Sequence, residues 1–289
     1  MRNRQMQTQA VLITALILLL ILSMVPFVMM LVLSLKSNAQ IFTHFWEPPK
    51  PARWDFYLKA YNALGGYIAN TAYVAVLTVI GVLALASLAG YTFARHRFPG
   101  RELLYYGILS LLMIPGILTL IPTFMLVKEM QLPAFVFAGR AWGPFALINT
   151  RWALILPYIA GGQVFGILLC RGFFQSLPEE LFEAARLDGA SEWDIYRRIA
   201  LPLSHPILAT IAIMTSLSVY NDYIWPLIAI SDNAIQTFSV GVTKFAGEFN
   251  LDYGPTLAGY VLGSIPLLLL FAFGMRYFIQ GITSGALKG

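Results

Sequence analysis

Six stretches of this chain each run 19 residues or longer without an Asp, Glu, Lys or Arg. They lie between Arg4 and Lys36, Lys59 and Arg95, Glu102 and Lys128, Arg151 and Arg171, Arg198 and Asp222, and Asp252 and Arg276. About 20 mostly apolar residues in a helix cross the roughly 30 Å of bilayer hydrocarbon. In lipid every backbone amide must be paired within the structure, which favours helices for such runs. The pattern predicts an all-α, polytopic membrane protein. Composition agrees: 58% of the residues are hydrophobic and 11% charged, where soluble domains carry about a quarter charged. A water-soluble globule and a disordered chain are both excluded.

The predicted spans are about 10–35, 67–93, 103–127, 152–170, 206–230 and 255–276, within one transmembrane domain over 1–289. The first is longer than a signal-peptide core and lacks a clean cleavage site, so it reads as a retained span, bent or loosened at Pro26. Ala141–Thr150 is apolar but too short to cross, and is expected at the interface. No tandem repeat, inverted repeat or low-complexity tract is visible. The lone cysteine, Cys170, forms no internal disulfide and fits no zinc pattern. The net charge of +5 is too dispersed for a nucleic-acid surface.

Basic residues set the orientation. With the N-terminus inside, the inner segments hold 11 of the 19 Lys and Arg, and the longer outer segments hold 8. The short loop with Arg95, Arg97 and Arg101 weighs most. Both termini are therefore expected in the cytoplasm. Five of the six Trp then fall at or beyond the outer ends of spans, where amphipathic rings prefer to sit.

The segment 176–202 is unlike the rest. It holds six of the 14 acidic residues, Glu179, Glu180, Glu183, Asp188, Glu192 and Asp194, beside Arg186, Arg197 and Arg198. Ser176 with Glu179 reads as a capping box, with Pro178 in the first turn. Gly189 suits a left-handed helix end, Ser191 a second cap, and Pro202 a stop. Two short helices are predicted. Leu181, Ala184, Ala185 and Leu187 form an apolar stripe on the first, and Trp193, Tyr196 and Ile199 recur on the second. A loop facing only water has no use for such stripes, whereas a partner surface does.

Glu183-Ala184-Ala185, then Gly189, then Ile199-Ala200-Leu201-Pro202, resembles the EAA motif of permease subunits of bacterial ABC importers. Three further runs resemble the carbohydrate branch, and within it the second, six-span permease: Tyr91–Arg101, Ile114–Pro122 and Asn221–Pro226. The tail Gln280–Gly289 resembles that branch closely as well. The likeness runs from about Pro26 to the end. It implies a transmembrane subunit forming half of a translocation path for a sugar or sugar-like solute, in a bacterial inner membrane. It implies as partners a second permease (a heterodimer), two cytosolic ATPases and an extracytoplasmic solute-binding protein, with no nucleic acid. The ATPase-coupling positions carried over are Glu183, Ala184, Ala185, Asp188, Gly189, Ile199, Leu201 and Pro202. Thr283, Gly285 and Lys288 are carried over as an ATPase-contacting tail. No Gly-x-x-x-x-Gly-Lys-Ser/Thr loop is present to cradle phosphates. The chain is therefore expected to be no enzyme and to bind no cofactor, with ATP and Mg on the partner ATPase.

Several residues keep two readings. Asn221, Asp222 and Tyr220 in the fifth span, and Gln163 in the fourth, are candidates for the translocation path. Packing, capping or interfacial anchoring are the plainer alternatives. Gly162 and Gly166, at Gly-x-x-x-Gly spacing, favour close helix packing, and Asn70 and Thr71 favour hydrogen bonds to neighbours. His44, His96 and His205 are isolated and read as loop histidines rather than metal ligands. The competing function class is an ion-coupled carrier or channel, which usually buries several ionisable groups near mid-membrane; this chain offers Asp222 alone. A membrane-embedded hydrolase lacks a second acid or a base beside it. The solute is not named by the sequence: disaccharide, oligosaccharide (uronate oligomers included), polyol and glycerol phosphate all fit.

Overall fold

A computed structural model describes the backbone of residues 2–132, 135–137, 140–142, 145–248 and 252–286, with side chains for 9–131, 146–247 and 252–276. The chain is helical, with two short antiparallel pairs among the described residues. The helices are α1 (Arg2–Leu33), α2 (Asn38–Thr43), α3 (Asp55–Arg95), α4 (Arg101–Ser110), α5 (Gly116–Glu129), α6 (Trp152–Ser176), α7 (Glu179–Leu187), α8 (Glu192–Ile195), α9 (Leu201–Leu203), α10 (His205–Asn221), α11 (Ile224–Ala229), α12 (Phe238–Glu248) and α13 (Tyr253–Ala286). Strands β1 (Gln131–Leu132) and β4 (Phe145–Ala146) pair, as do β2 (Phe135–Phe137) and β3 (Arg140–Trp142). These strands were not foreseen, because pieces of two or three residues carry no readable period.

Four helical segments are long and apolar enough to cross a membrane alone: Gln9–Leu33, Asp55–Arg95, Trp152–Ser176 and Tyr253–Arg276. Two bent pairs bring the number to as many as six, Arg101–Met113 with Gly116–Glu129 at 102° and Glu192–Leu203 with His205–Asn221 at 72°. The first bend departs from the expected straight span over 103–127. Its cause is local: Ile114, preceding Pro115, is pushed to ψ 116° in the extended region, so the helix stops and restarts. The fifth predicted span also breaks, at Asp222, whose ψ of 123° leaves the helical region before α11 begins. α1 runs through Pro26 as one helix, and its most apolar window is unburied by the chain.

The chain divides into two compact units. One comprises Met1–Gly65 and Val242–Ile265. Here Ser37 and Gln40 cap α2 reciprocally. The buried Lys36 ammonium donates to the carbonyls of His44 and Phe45, both at 2.8 Å, just past the end of the same helix. Gly254 leaves room for the Phe56 ring, which a Cβ would meet.

The other unit comprises Gly66–Gly241 and Pro266–Gly289. Its frame is the contact between α3 and α6. A Cβ on Gly166 would sit 2.7 Å from that of Ala86, and one on Gly162 would sit 2.8 Å from Val82. Gly81 and Gly90 answer from α3, against Ile159 and Cys170. The Gly-x-x-x-Gly pair is thus an internal packing face, as small residues allow. One core cluster gathers around Tyr91, Phe174 and Phe182, and a second around Val74, Leu154 and Trp225.

This packing yields a paired prediction. Gly90→Ala drives a Cβ into Cys170 and to within 3.0 Å of the Arg171 amide, an overpacking that costs about 1–3 kcal/mol. Gly107→Ala meets nothing within 4 Å and leaves stability unchanged. Thermal release of the Cys170 thiol in detergent, followed with a maleimide dye, distinguishes the two variants.

Candidate coupling hairpin and membrane polar groups

The segment after α6 folds into the two expected short helices. α7 starts with Glu179 and Glu180 and ends with Arg186, charges that complement its dipole. Its C-terminus closes as a Schellman turn: Gly189 has φ +79°, its N–H donates to Arg186 O at 3.1 Å, and the Ala190 N–H donates to Ala185 O at 3.0 Å. Ser191 Oγ then accepts from the Asp194 N–H at 3.1 Å and caps α8.

One expected signal fails and another is displaced by a residue. Ser176 caps nothing: it is the last residue of α6, its hydroxyl donates to Phe173 O, and the N-cap of α7 is Pro178 with no side-chain bond. Phe174 and Leu177 keep the α6 end in place, which leaves no extended residue at 176 to serve as a cap. The stop expected at Pro202 comes one residue later, after Leu203. The chain passes from α8 through a π-helical turn over Tyr196–Ala200 into α9, and the bend comes at Ser204. Proline is tolerated there because it sits in the first turn of α9.

The hairpin is held by its inner face. Phe182 is 0% exposed and Ala185 is buried, packed in one cluster with Tyr91, Phe174, Ile195, Tyr196 and Ala200. Arg95, at the end of α3, fastens it. Its guanidinium lies 3.9 Å over the Phe182 ring, donates to Leu177 O at 2.8 Å and to Phe174 O, and pairs with Glu179. One side chain therefore joins α3, the end of α6 and the start of α7. Tyr196 OH bonds Ser87 Oγ at 2.8 Å, and Tyr91 OH donates to Glu192 at 3.3 Å. Arg186 bridges Glu192 at 3.0 Å and Glu179 at 3.4 Å, and the bond to Glu192 raises its pKa above the ordinary value. Next to the hairpin, one guanidinium nitrogen of Arg171 donates to both carboxylate oxygens of Glu102, at 2.8 and 2.9 Å, while the group lies 3.7 Å over Tyr105.

The outer face is different. Leu187 is 89% exposed, Trp193 59% and Leu181 43%. Glu183, Ala184, Asp188, Gly189 and Pro202 are exposed, while Ile199 and Leu201 are half-buried against the core. The apolar stripe read from the sequence is thus split: Ala185 faces in, and Leu181, Ala184 and Leu187 face out. Phe182 and Arg95 were missed as site residues. A large aromatic between Leu181 and Glu183 was the available signal for one. The other had none, since an arginine in a short loop also reads as an orientation charge.

The polar groups of the spans are largely engaged. Asp222 accepts from Tyr158 OH at 2.8 Å and from the Trp225 N–H at 3.3 Å. It borders a cavity of about 340 Å³, next to one of about 420 Å³ along α6 and α10; Pro157 and Tyr158 line both. Tyr220 is buried with its ring 5.5 Å from that of Phe238, and Asn221 bonds back to Leu217 O at 2.9 Å. Gln163 is half-buried on α6. Trp225 is a core residue rather than an interfacial anchor: it is 6% exposed and its indole donates to Ala153 O at 3.0 Å. Asn70 donates to Ala234 O and Gln236 O and accepts from Arg151 at 2.8 Å, while Thr71 accepts from the Phe238 N–H at 2.7 Å. Both serve neighbouring chain, as the sequence suggested. Of the tail positions, Thr283 and Gly285 lie on the α13 backbone, and their side chains, with Lys288, lie outside the described residues.

Residues 83–284 match the model of the binding-protein-dependent transport system inner membrane component family. The chain belongs to that family. It is a multi-pass inner-membrane permease subunit of an ABC importer. It is 32% identical to the arabinooligosaccharides transport system permease protein AraQ of Halalkalibacterium halodurans, over 83% of this chain and 81% of that one. It is 30% identical to the diacetylchitobiose uptake system permease protein NgcG of Streptomyces coelicolor, over 94% and 87%. In fold it resembles a chain from the crystal structure of a bacterial ABC transporter involved in the import of the acidic polysaccharide alginate. The TM-score is 0.73 at 21% identity, covering 92% of this chain and 95% of that one.

Because the inner face carries the hairpin, Phe182→Ala should loosen it by about 3–5 kcal/mol, the usual cost of emptying a buried aromatic site. Limited proteolysis in detergent should then cut within 176–204 at least several-fold faster. Leu187→Ala, which removes an exposed side chain, should leave the cleavage rate unchanged.

Proposed function

We propose that this permease has six spans with both termini cytoplasmic, and that the 176–202 hairpin between the fourth and fifth couples solute movement to ATP hydrolysis on a separate ATPase. The observation that carries this reading is the hairpin's two-faced construction. Its inner face is locked to α3 and α6, whereas its outer face presents Leu181, Leu187 and Trp193. Large exposed apolar side chains on a firmly held element are what an interface core is made of. Glu183, Ala184, Asp188 and Gly189 share that exposed side, which supports their role as docking positions. Ala185, Ile199 and Leu201 would then shape the hairpin from within, with Pro202 exposed near its end.

The complete importer on this reading holds a second, non-identical permease, two cytosolic ATPases that bind ATP and Mg, and an extracytoplasmic solute-binding protein. This chain carries no nucleotide. The names of the relatives support a sugar or oligosaccharide as solute. Asp222, at the edge of a cavity, supports a path along α6 and α10, with Gln163, Tyr220 and Asn221 on the same two helices. The tail around Thr283, Gly285 and Lys288 adds a second ATPase contact. In the resting state the path faces the cytoplasm. ATP-driven closure of the ATPases moves the hairpin as one body, turns the path outward to the docked binding protein, and hydrolysis resets it.

Purification in detergent followed by mass spectrometry tests the class. A second permease and an ATPase should accompany this chain. Recovery of the chain alone, still transporting in liposomes without ATP, would establish an ion-coupled carrier instead. Leu187→Asp should reduce ATPase recovery while membrane insertion stays normal. Gly189→Pro, whose ring holds φ near −65° where the turn has +79°, should abolish uptake.

A further inference from the structure

We infer that the groove along α6 and α10 is a subsite for the uncharged sugar units of the solute, with Asp222 and Tyr158 selecting against anionic sugars. The inference rests on the permease reading above and names residues and a solute class within it.

Four observations carry it. First, the two cavities, of about 420 and 340 Å³, fall in the range of small-molecule sites, and Tyr158 lines both. Second, Thr78 borders the larger one fully buried, and its hydroxyl has no hydrogen-bond partner among the described residues. A threonine inside a helix ordinarily bonds the carbonyl one turn back, as Thr92 and Thr210 do here. An unpaired buried hydroxyl is costly, and this residue forms part of the cavity wall. Third, Thr215 and Ser218 add hydroxyls to the same wall, while Phe165 and Tyr158 add ring faces. Hydroxyls beside aromatic rings suit a pyranose or furanose, whose C–H faces stack and whose hydroxyls both donate and accept. Fourth, among the described residues neither cavity is lined by Lys or Arg, and the single charged group lining them is Asp222. A carboxylated or phosphorylated sugar would find no cationic partner and would meet a like charge.

The test uses the whole importer, purified with the partners that accompany it, carrying Ser218→Cys; Thr215→Cys serves if that variant does not assemble. Cys170, the single native cysteine, is buried and silent. Labelling rates are measured with a charged, water-soluble methanethiosulfonate and with a lipid-soluble maleimide, with and without sugar. Expected is reaction with the water-soluble reagent. Arabinotriose or diacetylchitobiose should slow it about threefold at roughly twice the dissociation constant, and trigalacturonate should not. In Asp222→Asn, trigalacturonate should begin to protect.

Reaction with the lipid-soluble reagent alone would make the groove a lipid contact and overturn the inference. So would protection by none of the sugars, or equal protection by trigalacturonate in the native background. An unchanged preference in Asp222→Asn would overturn the role of Asp222. The assay needs no nucleotide, so its failure is separate from failure of ATP coupling, which is read by ATPase recovery and ATP-dependent uptake.

Discussion

The close approach of α3 and α6 is the constraint on which the second unit depends. Gly81 and Gly90 from one helix, and Gly162 and Gly166 from the other, remove the side chains that would hold the axes apart. In lipid, where apolar side chains gain little by leaving one hydrocarbon for another, such contact is what drives helices together. Everything the hairpin needs follows from it. Arg95 at the end of α3 can reach the last carbonyls of α6 only because the two helices end side by side, and Phe182 fits under that guanidinium for the same reason.

Arg95 and Arg171 show how the permease spends buried cations. Each lies flat on an aromatic ring and each meets an acid, Glu179 or Glu102, that is itself half-exposed. Planar guanidinium groups suit this double use, since one face stacks while the edge donates. A lysine in either place would lose the planar stacking. These joints add direction to a contact that glycine packing leaves free to slide. That direction fixes how the hairpin sits on the ends of α3 and α6.

Much of this was legible in the sequence. Charge-free length revealed the membrane helices, because lipid taxes charge wherever it falls along a span. The Schellman turn at Gly189 and the cap at Ser191 were readable because each depends on one residue type at one position. The capping box at Ser176 misled, since α6 extended through it and left no extended residue to act as cap. The bend at Pro115 was hidden for a different reason. Apolar sequence reports depth in the membrane and says little about direction, so a helix that turns by 102° keeps the composition of a straight one. Which face of α7 turns inward was also ambiguous, because Leu181, Phe182, Ala184 and Ala185 offer apolar groups on both sides. Tertiary packing of Phe182 decided it.

α3 is 41 residues long, about 60 Å at 1.5 Å per residue, or roughly twice the thickness it has to cross. Asn70, which holds the backbone at Ala234 and Gln236, and Arg95, which holds the hairpin, sit on this one helix, separated by about 37 Å at that rise. A straight rod of that length would swing one end by about 3 Å for every 5° of tilt about the other, which is the geometry of a lever. A displacement of the order of one side chain at the hairpin would be felt at the far loop with no relay of intermediate contacts, at the speed of a rigid-body rotation.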